Sequence, residues 1–114
     1  MVDRLKHLYL LINVLREMQA DSFPMDSFYS LTMSVLRDAM GDVRLIASKF
    51  GPNWEKGLYV VLSDRPKVAA QIIHLDRVLA SSEVDNPVRA ASLLGTALPL
   101  FREFYAAVRE RMDG

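Results

Sequence analysis

Apolar residues recur every three to four positions near the start of the chain, which is the spacing of one face of an α-helix. That face consists of Leu5, Leu8, Leu11, Ile12, Leu15 and Met18. The opposite face carries Asp3, Lys6, Asn13 and Glu17. Because these two sets of residues lie on opposite sides of a helical wheel, the pattern predicts a first helix from about Val2 to Gln19.

A second helical pattern follows a predicted stop at Pro24, with Asp26 as the predicted N-cap. Apolar residues cover most of its circumference, so we expect this helix to lie centrally in the fold. Gly41 is expected to interrupt it, because glycine is a poor helix former. The pattern then resumes and ends at Gly51 and Pro52.

Residues 57–63 fit either a strand or a helix. Val60 and Val61 favour a strand, because β-branched side chains pack well on a pleated surface. Trp54 and Leu58, however, are separated by the spacing of a helix. No second strand is evident to satisfy the backbone of a first one, so we predict a short helix.

Another helical pattern begins at Pro66, and proline suits the first turn because no N–H donor is needed there. Ser63 or Asp64 is the predicted cap. The apolar stripe of this helix consists of Val68, Ala69, Ile72, Leu75 and Leu79. These signals together predict a well-defined amphipathic helix.

The last predicted helix follows Asn86, the expected cap, and extends to about Met112. Pro99 lies inside it, and an internal proline removes one backbone hydrogen bond and crowds the preceding turn. We therefore expect a kink or a break between Gly95 and Pro99. The whole pattern predicts one all-α domain over residues 1–114, with five to six helices in a compact bundle or orthogonal array.

Composition narrows the classes of function. The chain has 114 residues, which is the size of one domain. Its 14 basic and 14 acidic residues cancel, so no long-range field attracts nucleic acid or anionic lipid. It contains no cysteine, which excludes disulfides, thiolate chemistry and cysteine zinc sites. We expect a cytoplasmic protein.

The apolar run from Leu8 to Leu15 could be mistaken for a targeting segment. It is far shorter than the roughly 20 residues that span a membrane, and Lys6 and Arg16 flank it. No cleavage site of small residues follows, as a signal peptide would require. We expect neither a membrane anchor nor a secretion signal.

His74 lies on the polar flank of its predicted helix, with Arg77 three residues later and Val78 four residues later. An exposed histidine on a helical bundle resembles the histidine phosphotransfer domains, in which lysine and glycine occupy those two positions. The resemblance implies a phosphoryl-accepting histidine with Arg77 as the positive charge. Val78 departs from the pattern, because its side chain would crowd an incoming partner. We interpret His74 as an ordinary surface histidine.

Asp38 and Asp42 lie four residues apart, a spacing that suits a cation site or an acid–base pair. Arg37 and Arg44 flank them and no histidine lies close in sequence, so we predict a helix-end cluster of surface charges. No motif for nucleotide, metal or nucleophilic chemistry is present. We expect no enzymatic activity, no cofactor, no bound metal and no small-molecule substrate.

Residues 90–95 have the sequence AASLLG. This stretch resembles the first helix and the turn glycine of the helix-turn-helix in the factor-for-inversion-stimulation family, and the resemblance implies a turn at Gly95. The following residues depart from that family, because they are mostly apolar up to Arg102, whereas a recognition helix offers polar or basic side chains to DNA. Nucleic acid is therefore not the favoured partner. A helix-turn-helix DNA-binding regulator using residues 88–104 stays as the alternative function.

Apolar residues also occur where water is expected. Leu10 and Val14 lie among the charged residues of the first helix, and Phe101, Phe104 and Tyr105 widen the apolar face of the last one. One small core seldom takes apolar residues from opposite sides of a helix, although a single exposed leucine is common. We predict that these five residues bind another protein or a second copy of this chain. The expected function is protein–protein contact with self-association, as in an adaptor, a chaperone-like or regulatory subunit, or an immunity-type inhibitor.

Overall fold

Five helices account for nearly all of the chain that the structure describes. The computed structural model describes residues 1–20, 25–81 and 86–113, except for the side chains of residues 25–28 and 113. The helices are α1 (Val2–Ala20), α2 (Met25–Ala47), α3 (Trp54–Val61), α4 (Pro66–Ala80) and α5 (Pro87–Asp113). No strand occurs in these ranges, and the radius of gyration is 13.8 Å. The predicted all-α bundle is confirmed.

Side-chain caps explain where α3 and α5 begin, and a first-turn proline explains the start of α4. Asn53 caps α3, because its side-chain oxygen accepts a 2.9 Å hydrogen bond from the Lys56 amide. Asn86 caps α5 as predicted, with a 2.9 Å hydrogen bond from the Arg89 amide. The predicted cap of α4 is wrong, because Arg65 occupies the N-cap position and makes no side-chain cap. Pro66 in the first turn makes a side-chain cap less necessary for α4, since proline has no backbone N–H that needs a hydrogen-bond acceptor.

The interruption predicted at Gly41 and the break predicted between Gly95 and Pro99 are wrong, because α2 and α5 continue through them. The kink, the alternative to a break in α5, stays a prediction. One glycine costs a helix only about 1 kcal/mol, and packing of the flanking core residues outweighs that cost. Pro99 lies on the exposed side of α5, where water can satisfy the freed carbonyl. The predicted stop at Pro24 lies outside the described residues, and Asp26 lies within α2 rather than at a cap.

The central position predicted for the second helix is confirmed, since α2 contacts each of the other four helices. Helix α5 also contacts all four. The core lies between these elements, and its largest fully buried side chains include Phe101, Phe104, Leu8, Leu15, Leu36 and Met40. A helix with four neighbours can bury a wide apolar face, which a helix at the edge cannot do.

The first helix runs antiparallel to both of its neighbours. Against α2, Arg4 and His7 near its start both contact Asp42, which lies near the end of α2. Val14 is seven residues beyond His7, so it lies level with Val35, seven residues before Asp42.

Against α5, the ring of Tyr9 lies 5.2 Å from the ring of Tyr105, measured between centroids. At the other end of α1, Gln19 lies beside Gly95, with its side-chain nitrogen 3.6 Å from where a Cβ on Gly95 would be. These two contacts set the register of α1 and α5. Helix α1 thus packs against both α2 and α5, which also contact each other.

Candidate functional site

The structure separates the five predicted partner-binding residues into three groups: exposed, fully buried and partly buried. Leu10 is 61% exposed and Val14 is also exposed, so both are available to another molecule. Phe101 and Phe104 are 0% exposed and lie in the core, so they offer no surface to a partner and we withdraw them from the site. Helix α5 contacts the other four helices. These neighbours cover its wide apolar face, which from the sequence alone looks larger than one core could bury.

The fifth residue, Tyr105, is partly buried and packs against the core. Its ring contacts that of Tyr9, and its hydroxyl accepts a 3.1 Å hydrogen bond from Nη1 of Arg109. The Arg109 guanidinium also lies over this ring, 5.9 Å from its centroid. Tyr105 therefore belongs to the seam between α1 and α5 and does not extend the surface around Leu10.

Leu31 on α2 joins Leu10 and Val14 in one exposed apolar surface. Leu31 is 50% exposed and lies one helical turn from the level of Val14 in the antiparallel register. Leu10 and Val14 are four residues apart and therefore neighbours on the surface of α1. We call these three residues the α1–α2 face. Sequence reasoning missed Leu31, because its position relative to α1 depends on how the two helices pack.

Asp42 is a buried carboxylate that ties α1 to α2. It is 2% exposed, and Nη1 of Arg4 lies 3.0 Å from its Oδ1. Nδ1 of His7 lies 2.6 Å from its Oδ2. Both carboxylate oxygens thus have a partner, which is what a charged group needs in order to stay buried.

The predicted surface cluster of Asp38 and Asp42 is wrong, because only Asp38 is exposed. One carboxylate is directed into the contact with α1 and the other into solvent, so the two do not form a pair that could hold a cation. Within the described ranges no group of three or more histidine or acidic side chains could hold a metal ion. Asp42 instead fixes the register of α1 against α2, and with it the geometry of the α1–α2 face.

Replacing Asp42 with asparagine tests this role. In Asp42→Asn the amide nitrogen would meet a donor on Arg4 or His7, so we expect the free energy of unfolding to fall by about 1.5–3 kcal/mol. Asp38→Asn, with the same change of charge one turn earlier on α2, should change it by less than about 0.5 kcal/mol. Urea unfolding followed by circular dichroism measures both. Equal effects for the two variants would contradict the structural role of Asp42.

His74 is exposed on α4 and lines a groove between α4 and α5. The groove has a volume of about 500 Å³, and Val78, Arg89 and Leu93 also line it. Val78 therefore lies beside the histidine, at the position where the phosphotransfer domains have glycine. Nothing in this groove tests the interpretation of His74 as an ordinary surface residue, which stays a prediction.

Residues 88–104 do not form a helix-turn-helix. They lie within the single helix α5, which continues through Gly95, the expected turn position. A recognition helix enters the DNA groove only when a turn sets it at an angle to its neighbour. Because the turn is absent, residues 88–104 lack the geometry that a helix-turn-helix regulator needs to bind DNA.

Neither a search for membrane-spanning helices nor comparison with known proteins identifies a function for this protein. Across the described ranges, no helix combines the length and the apolar character needed to cross a membrane. Comparison of the chain with models of protein families, with curated proteins and with solved structures found no match. Its function therefore has to be argued from its own surface.

Proposed function

We propose that this protein acts by protein–protein contact rather than by catalysis, and that the α1–α2 face binds a second copy of the chain. The observation that carries the proposal is the exposure of Leu10, 61% exposed at the centre of the polar side of α1. Val14 and Leu31 extend the apolar surface around it. Removing such side chains from water stabilises an association by about 25 cal/mol per Å².

The charges around this face favour a second copy as the occupant. Lys6 lies one turn before Leu10 on α1, and Asp38 lies at about the level of Leu10 on α2. A two-fold contact uses the same surface on both copies, so it can place Lys6 of one copy near Asp38 of the other. The chain has 14 basic and 14 acidic residues, so two copies do not repel each other through their net charge.

The size of the face sets the expected strength. Helix α1 has 19 residues and is therefore about 28 Å long, and two packed helices present a strip about 18 Å wide. Such a strip offers about 500 Å² per copy, or about 1,000 Å² in total, which is the low end for a specific interface. We therefore propose a weak dimer whose population depends on protein concentration.

Leu10→Glu tests the proposal. We expect the wild-type mass from light scattering to rise with concentration towards that of a dimer, and Leu10→Glu to raise the dissociation constant at least about tenfold. Helicity by circular dichroism should be unchanged, because residue 10 faces solvent. Val88→Glu is the matched control, since Val88 is 80% exposed on α5, away from the face.

Two results would contradict the dimer. One is a wild-type protein that stays monomeric at all concentrations, and the other is a Val88→Glu variant that weakens association as much as Leu10→Glu. Unfolding of Leu10→Glu would show instead that Leu10 belongs to the core. Val14→Glu then provides a second substitution within the same face, with the same expected loss of the dimer.

A further inference from the structure

A second surface lies on the other flank of α1, where it meets α5. We call it the α1–α5 groove; its volume is about 270 Å³. Its lining residues are Tyr9, Ile12, Asn13, Arg16, Arg102 and Tyr105. The first four come from α1 and the last two from α5. Apart from Ile12, every residue in the lining carries a polar group.

These polar groups are mainly hydrogen-bond donors. Within the described part of the chain, Arg16 and Arg102 make neither a hydrogen bond nor an ion pair. The Tyr105 hydroxyl accepts a hydrogen bond from Arg109, which leaves its own proton to donate. Asn13 adds an amide N–H₂ group, and a carbonyl oxygen that is one of the few acceptors in the groove. An acceptor-rich ligand is therefore complementary to this surface.

Arg16 and Arg102 line the same groove from two different helices. The contact between Tyr9 and Tyr105 sets the register, and in that register Arg102 lies about one helical turn from the level of Arg16. Helices pack about 8–10 Å apart, a span that two long arginine side chains easily bridge. No carboxylate is among the residues that line the groove. Two like charges thus face one cavity, and an anion between them would relieve their repulsion.

Two arginines in the groove between α2 and α4 provide a comparison, because both have partners within the protein. Arg37 donates through Nε to the Leu79 carbonyl at 2.9 Å, and Arg44 pairs with Asp76. The arginines there are used to hold the two helices together. Among the residues that the structure describes, Arg16 and Arg102 have no partner of this kind, so their guanidinium groups are available to a ligand.

We propose that the α1–α5 groove binds the phosphate group of a small aromatic phosphate monoester, with Arg16 and Arg102 on either side of the phosphate. A monoester has three terminal oxygens and up to two negative charges, so it can accept from both guanidiniums and from a hydroxyl at once. The ring of Tyr9, a residue that is 48% exposed, provides an apolar surface against which the aromatic group can stack. The volume accommodates a phosphate and about one ring.

Titration with phenyl phosphate, followed by amide chemical shifts, tests the proposal. We expect saturable shifts confined to residues around the groove. Arg16→Gln and Arg102→Gln should each raise the dissociation constant at least about tenfold, because each removes a charge-assisted contact to the phosphate. Arg77→Gln is the matched control, since it makes the same change of charge on α4, outside the groove lining.

The choice of ligand is tested in the same way. Benzoate keeps the ring but has a carboxylate, and inorganic phosphate keeps the phosphate but has no ring; both should bind at least several-fold more weakly than phenyl phosphate. Failure of phenyl phosphate to saturate, equal binding of benzoate or inorganic phosphate, or equal loss in Arg77→Gln would each overturn the proposal. Leu10→Glu should keep the binding, which separates this inference from the dimer.

Discussion

Gly57→Ala is expected to lower the free energy of unfolding by at least about 3 kcal/mol, or to prevent folding. A Cβ on residue 57 would lie 1.8 Å from the carbonyl oxygen of Ala47, far inside van der Waals contact. The atom in the way is backbone, so no side-chain rotation can relieve the overlap. Helix α3 approaches the end of α2 closely at this point, and only a residue without a side chain fits.

The control for this prediction is Gly95→Ala. A Cβ on Gly95 meets only the flexible side chain of Gln19, at 3.6 Å. Alanine is the better helix former, so this variant should gain about 0.5–1 kcal/mol. Urea unfolding of both variants gives the two free energies. Similar small changes at both positions would show that α3 does not pack against α2 as described.

Phe104→Ala should cost about 3–5 kcal/mol of unfolding free energy, because it leaves a large cavity in the centre of the core. Phe104 is 0% exposed and surrounded by helices that contact α5 on several sides. For a chain of 114 residues the total stability is of the order of 6–17 kcal/mol, so a large part of it would be lost. Thermal and urea unfolding measure the loss directly.

Tyr59→Ala is the matched aromatic truncation for this experiment. Tyr59 is an exposed residue of α3, so removal of its ring should cost less than about 1 kcal/mol. If Phe104→Ala kept full stability and instead weakened association, Phe104 would be a partner residue, as its sequence pattern predicts, and not a core residue. The two variants therefore separate the core from the surface on α5.

The helices of this protein follow from patterns that act over one or two turns. The apolar spacing in α1 and the cap at Asn86 are local features, and both predict the observed elements. Gly41 and Pro99 give local signals of the same kind, but tertiary packing outweighs them. Local sequence preference determines where a helix ends only when tertiary packing contributes less free energy than that preference.

The proposed dimer surface was predictable only in part. Leu10 and Val14 could be recognised because the polar side of α1 is evident from α1 alone. Phe101 could not be placed, since its burial depends on how many helices surround α5. The burial and pairing of Asp42 could not be predicted either, because its partner His7 is 35 residues away. A pair between two helices can be recognised only when the register of those helices is known.

The packing of α1 against α5 also has a consequence for how the chain folds during its synthesis. Tyr9 and Tyr105 are in contact although α2, α3 and α4 all lie between them along the chain. Helix α1 is made before all the others, yet one of its two neighbours is made last. Until α5 has been synthesised, the side of α1 that it covers is open to water, and to any chaperone or neighbouring chain that binds exposed apolar side chains.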